Sequence, residues 1–244
     1  MCMFMQAPWN RRRLLGIVAA MSHGGDVVPE RPLRRDAERN RQRILAAARE
    51  VFAARGVDVT LDDIAHHAGL GVGTLYRRFA SREMLVEALF SERLDEMVRW
   101  ATEALQASSP GEGVRWFAER SASAMADDRG LRDVIFSRAY GHERVEAARA
   151  RLEPLLDALV VRARAAGALR PGVEGGDLAM IQFMLGAVLE YSEPVDPGLW
   201  RRYLVVVLDG LRAGPGSGPL PGAAPGPAEL AQVADHWKPP RRPG

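Results

Sequence analysis

The sequence predicts an all-α chain: a three-helix head containing a helix-turn-helix, followed by a larger helical domain. Three observations point there. Apolar residues recur at helical spacing from about residue 36 to residue 212, strand-like alternation is scarce, and turn-forming residues punctuate the pattern at helix-length intervals. No internal repeat stands out.

Composition bounds the rest. The 244 residues suffice for one sizeable core or two small domains, and 47% hydrophobic with 26% charged residues is ordinary for a globular chain. The net charge is only +2, so any footprint for a charged partner must be local. Residues 31–60 supply one, with eight arginines against four carboxylates. Lys238 is the only lysine, which marks a compositional bias toward arginine, so each arginine has to be judged by position. Cys2 is the single cysteine; it excludes internal disulfides and cysteine-built metal sites and suits a reducing compartment. Arg11-Arg12-Arg13 before LLGIVAAM imitates a secretion signal, but the apolar run is only about 8 residues. Residues 1–30 read as a disordered extension, or as an overcalled start with Met21 as initiator. No run approaches the ~20 apolar residues of a membrane span, and a cytoplasmic location with no membrane partner is expected.

In the head, residues 31–97, Ile44, Ala48, Val51 and Phe52 stripe a first helix that Gly56 ends. Thr60 caps a second, with Asp63 three residues on in a near capping box. Leu61, Ile64, Ala65 and Ala68 form its buried side; at about eight residues it must pack on its neighbours. Gly69 breaks it, and Val72, Leu75 and Phe79 stripe a third helix. Ser81 then caps a long helix striped by Leu85, Leu89, Leu94, Met97, Ala101 and Leu105.

The second domain, residues 98–212, begins with helices over about 113–126 and 131–140. A long helix over 143–166 has Pro154 as an expected kink. After a connection at Gly167 to Pro171, residues 177–190 are apolar on nearly every side, as for a helix covered from two directions. Asp196-Pro197 opens the last helix, over 197–212; Val205-Val206-Val207 would suit a strand, but length and cap favour a helix. Proline and glycine dominate thereafter, so residues 213–244 read as a disordered tail.

The stretch LGVGTLYRRF, Leu70 to Phe79, joins structure to chemistry. On a helical wheel Val72, Leu75 and Phe79 share the core face, Gly73, Thr74 and Arg77 point outward, and Tyr76 and Arg78 flank the stripe. A short helix, a glycine turn and a second helix presenting small and basic residues form a helix-turn-helix over about 60–79. Gly73 lets a backbone approach, Thr74 can reach a phosphate or a thymine methyl, and Arg77 is long enough for guanine O6 and N7. Tyr76 and Arg78 suit phosphate oxygens, as does Arg82 at the start of the next helix. The competing reading is a helical hairpin with solvated arginines.

Residues 38–97 resemble the N-terminal domain of TetR-family transcriptional regulators, through ILAAAREVFAARG and VTLDDIAHHAGLGVGTLYRRFASREMLVEAL. The family pattern A-G-V-S-x-G-T-L-Y-x-x-F-x-S-K-E-x-L runs here from Ala68 to Leu85. The resemblance implies double-stranded DNA as partner and a role at it for Thr60, Gly73, Thr74, Tyr76, Arg77 and Arg82. Two departures matter: Gly71 stands where a serine is usual, and Arg82 replaces lysine. Arg34, Arg35, Arg39 and Arg41 read either as an arm toward the minor groove and neighbouring phosphates or as a solvated lead-in.

Residues 98–212 resemble the regulatory domains of actinobacterial members, in which the last two helices pair with their mates. A homodimer through about 177–190 and 197–212 is therefore expected, and two recognition helices reading half-sites of a palindrome require one. Trp100, Trp116, Phe117, Met125, Phe136, Tyr140, Phe183 and Met184 could line a pocket for a small-molecule effector, although for any single one of them ordinary core packing is the stronger reading. The expected function is an effector-responsive repressor, the alternatives being a helical adaptor without DNA binding or, remotely, an α-helical enzyme. No phosphate loop, G-x-S-x-G elbow or paired metal-binding histidine occurs, so neither catalysis nor a cofactor is expected.

Overall fold

A computed structural model describes residues 30–136 and 143–236, and within them ten α-helices. The chain divides into two units, Met1–Arg39 and Asn40–Gly244. Of the first, the described part is the start of α1 (Glu30–Arg55). There Arg39 pairs with Asp36 at 3.3 Å, both well exposed.

Within the second unit, α1 continues into α2 (Leu61–His67), α3 (Val72–Arg78) and α4 (Arg82–Ala104). Two seven-residue helices cannot hold themselves. They fold because Ile64 and Leu75, both without exposure, seat on Ile44, Ala48 and Phe52 of α1 and Leu85 and Leu89 of α4. Their ends are fixed locally. Thr60 Oγ1 accepts from the Asp63 amide at 3.1 Å, and Asp63 Oδ2 accepts from the Thr60 amide at 3.2 Å, completing the capping box. Gly69 turns the chain at φ +62, a left-handed value that favours glycine, and Arg43 of α1 donates to Ala68 O at 2.9 Å. Ser81 Oγ caps α4 through the Met84 amide.

The remaining helices are α5 (Pro110–Asp127), α6 (Arg129–Phe136), α7 (Glu143–Ala165), α8 (Gly175–Ser192), α9 (Trp200–Leu211) and α10 (Pro227–His236). Phe117, Met125, Leu159, Leu178, Leu185 and Leu204 pack a second core among α5, α7, α8 and α9. No strand forms among the described residues; one antiparallel bridge joins Leu169 to Arg212. The sequence boundary at 97/98 falls inside α4, and the first core also takes in Leu131 and Val134 of α6 and Val145 and Ala148 of α7.

Two expectations are corrected. The last core helix begins at Trp200, three residues beyond Pro197, because Asp196 closes a tight turn onto the Gly198 amide at 2.8 Å instead of capping a helix. The stretch read as a disordered tail contains α10, which packs on α8 and buries Ala234.

A buried charge cluster ties α6 to the rest. Glu190 of α8 meets Arg129 at 3.1 Å and Arg132 at 3.0 Å, and Arg132 also donates to Met125 O. Asp133 accepts from the Val57 amide at 3.1 Å, so α6 holds the loop between α1 and α2. Gly56 makes that approach possible: its φ is +75, and a Cβ there would lie 2.3 Å from Asp133 Oδ2.

Candidate nucleic-acid interface

α3 turns Gly73, Tyr76, Arg77 and Arg78 to solvent, with Thr74 half-buried beside them. Leu75 and Phe79 anchor the helix, but Val72, expected on the same buried face, is 41% exposed. It stands in the first turn, past the edge of the core that Leu75 enters. Arg77 Nη2 donates to Thr74 Oγ1 at 3.0 Å, so the two groups that the sequence turns outward touch each other. Gly71, the N-cap residue, brings no side-chain bond to α3. A Cβ at Gly71 would meet nothing within 4 Å, and one at Gly73 only Arg77 Nη1 at 3.8 Å. Neither has a positive φ. Internal packing therefore gives no reason for either glycine.

Other residues expected at this face are occupied by the fold. The Thr60 hydroxyl accepts from the Asp63 amide and donates to the Asp63 carboxylate at 2.8 Å. That donation, above all, holds the Asp63 carboxyl below its ordinary value. Arg82 pairs with Asp58 at 3.2 Å and lies 4.0 Å from Glu83. Arg41 is half-buried, and the side chains of Arg34 and Arg35 lie outside the described residues.

A cavity of about 400 Å³ opens in the second domain, the size of a small-molecule site. Of the expected lining, Phe117, Phe136 and Phe183 are in its wall, with Phe136 stacked on Phe183 at 4.6 Å between ring centres. Met125 is fully buried core instead, and Met184 is 51% exposed. Trp100 and Trp116 sandwich the Arg120 guanidinium, at 4.8 and 5.4 Å. Tyr140 lies outside the described residues. Sequence reasoning missed Gln182, Glu153, Leu230 and Ala231, all in the wall. It also missed the Arg129, Arg132, Asp133 and Glu190 cluster. The only sequence signal for that cluster was RGLRD, charged at both ends of a short helix, and its partner is 58 residues away.

Comparison with known proteins addresses the family. Residues 44–89 match a model of bacterial regulatory proteins of the tetR family, and residues 109–213 match the C-terminal domain of SbtR-like transcriptional regulators. The solved TetR transcriptional regulator SCO0520 of Streptomyces coelicolor is 32% identical, with a TM-score of 0.50; the similarity covers 72% of this chain and 99% of that one. The chain belongs to the TetR family of transcriptional regulators. Its described helices include none long and apolar enough to cross a membrane. An HTH-type transcriptional regulator of Staphylococcus aureus, SAR0097, is 39% identical over 71 residues. That match spans 28% of this chain and only 37% of the relative. FadR of Bacillus subtilis, solved with stearoyl-CoA, shares the fold at TM-score 0.54 but only 18% identity, over 70% of this chain and all of that one.

Proposed function

We propose that this TetR-family regulator binds a palindromic operator as a homodimer and represses transcription until a small-molecule effector occupies the cavity of its second domain. One observation carries the reading: α3 exposes Gly73, Tyr76 and Arg77 together, beside glycines that nothing inside the protein requires. A nucleic-acid backbone lying against α3 supplies the missing reason. Arg77 then exchanges its bond to Thr74 for a base edge in the major groove, while Tyr76 and Arg78 fix register through phosphates. Arg82 would have to leave Asp58 to reach a phosphate, so it contributes less. Thr60 acts as the cap that aims α2, with its amide-bonded hydroxyl near the DNA rather than free for it.

Dimerisation is supported by the faces of α8 and α9. Met184, Tyr191 and Val195 follow one side of α8 and its extension, and Tyr203, Val205 and Val206 lie exposed on α9. So much apolar side chain in two adjacent helices suits an isologous interface. Coupling runs through α6. Its last residue, Phe136, lines the cavity, and one turn earlier Asp133 holds the Val57 amide. A ligand that displaces Phe136 moves the loop leading into α2, and with it the spacing of the paired recognition helices. A coupling of about 1–3 kcal/mol is sufficient.

Selection of genomic fragments by the purified full chain, followed by fluorescence anisotropy over a salt series, tests the reading. Enrichment of a palindrome with a steep salt slope is expected. Absence of enrichment at low salt from a folded dimer would favour an adaptor without DNA binding.

A further inference from the structure

The wall of the cavity is unevenly polar. Four carboxylates line it, Glu146, Glu153, Asp157 and Glu174, against one guanidinium, Arg149. That guanidinium is already committed, to Glu146 and to the Val134 carbonyl. Arg164, nearby in sequence on α7, donates to Val173 O at 3.0 Å, outside the wall. The N-terminal turn of α8 also reaches the cavity through Gly175 and Gly176, a place that ordinarily draws anions. Here carboxylates of the protein itself crowd that turn: a Cβ on Gly175 would sit 2.0 Å from Asp157 Oδ1, and Asp177 accepts from the Glu174 amide at 2.9 Å.

Deeper in the wall, Gln182 gives a second and independent sign. It is only 8% exposed, and its Nε2 donates to Ser121 Oγ at 3.0 Å. Ser121 in turn donates its hydroxyl hydrogen to Phe117 O at 2.8 Å, so the serine oxygen must act as acceptor toward Gln182. This chain of bonds fixes the carboxamide orientation and leaves Oε1 as the free end. Oε1 has no donor among the described residues. A buried acceptor without a donor is costly, and a ligand N–H would relieve it. Among the described side chains of the wall, acceptors thus outnumber donors, while Leu94, Phe117, Phe183 and Leu230 supply the apolar lining.

We propose that the effector is a cationic amphiphile: an apolar body carrying a protonated amine, its positive centre held by Glu153 and Glu174 and an N–H donated to Gln182 Oε1. This rests on the effector reading above and deepens it. A fatty-acid carboxylate would meet the acidic wall as a like charge.

Isothermal titration of the full chain, below micelle-forming concentrations, tests this with three probes of one chain length: dodecylammonium, dodecyltrimethylammonium and dodecanoate. Saturable binding of dodecylammonium at one per chain is expected, about tenfold or more tighter than dodecanoate. Glu153→Lys, at a half-buried position on α7, is expected to cancel or reverse that preference. Gln182→Met is expected to weaken dodecylammonium severalfold while leaving the trimethyl probe, which has no N–H, unchanged. Circular dichroism melts check that each variant folds; if Gln182→Met does not, Glu153→Lys still decides. Equal or tighter binding of dodecanoate, an unaltered preference in Glu153→Lys, or uptake without saturation overturns the proposal. Operator affinity in the same samples separates the two readings: saturable, charge-selective binding with no effect on DNA sinks the effector role and leaves the cation site standing.

Discussion

Arg77 and Arg132 are the same residue in an almost lysine-free chain, and the protein uses them in opposite ways. Arg77 stands in solvent with one hydroxyl for company. Arg132 is 3% exposed, bonded to the Glu190 carboxylate and to Met125 O. The first can leave its neighbour at little cost, which a group that must meet a partner requires. The second cannot leave without stranding a charge in the core. Residue type told nothing about which would be which; the surroundings decide it.

The comparison is broken most forcefully at Glu190. Glu190→Gln removes the carboxylate that pairs with both buried guanidiniums, and a loss of about 3–5 kcal/mol in urea unfolding is expected. An unchanged midpoint would mean that water reaches the cluster freely. Asp133 gives the next largest effect, through pH. Burial pushes its carboxyl up to about 6, against the Val57 amide and the two arginines that pull it down. Asp128 is raised in the same direction and also by burial first. A folded form that keeps its proton above the unfolded value is stabilised at low pH, so this contribution falls as pH rises from about 4 to about 6 and is constant above. The change amounts to at most about 3 kcal/mol for Asp133. Asp133→Asn should flatten that part of the stability profile; a profile identical to that of the unaltered chain would show that Asp133 titrates normally.

Arg77→Ala sharpens the other side of the comparison. Stability should stay within about 0.5 kcal/mol. Operator affinity should fall by roughly 1–3 kcal/mol, with base preference relaxed at one position, in anisotropy titrations against substituted operators. Tyr76→Phe should weaken all sequences about equally. Thr60→Ala is expected to lower folding stability by about 1 kcal/mol through the lost cap, seen in thermal melts.

What was legible in the sequence follows the range of the forces. The α2 cap, the Gly69 turn and the Ser81 cap each involve residues within a few positions of one another, and the sequence located all three. The helix wheel misplaced Val72 because a seven-residue helix has a core edge that falls short of its own first turn. The charge cluster was illegible because its partners come from helices far apart in the chain. Residues offered as pocket lining divided four ways, into wall (Phe117, Phe136, Phe183), core (Met125), a cation sandwich (Trp100, Trp116) and exposed surface (Met184), and nothing in their spacing distinguishes these fates. The α10 helix was read as disorder from its proline- and glycine-rich approach. Its hold is long-range: a Cβ on Gly176 would lie 2.0 Å from Pro225 O, so this one glycine in α8 lets the returning chain come close.

That last contact has a consequence for how specificity arises. The family-matched segment ends at residue 213, while Pro225, Leu230 and Ala234, which help wall the cavity, lie beyond it. On the proposed reading, what the cavity admits is set in part by this strap, so a substitution at Leu230 retunes it while leaving α3 and the buried charge cluster untouched.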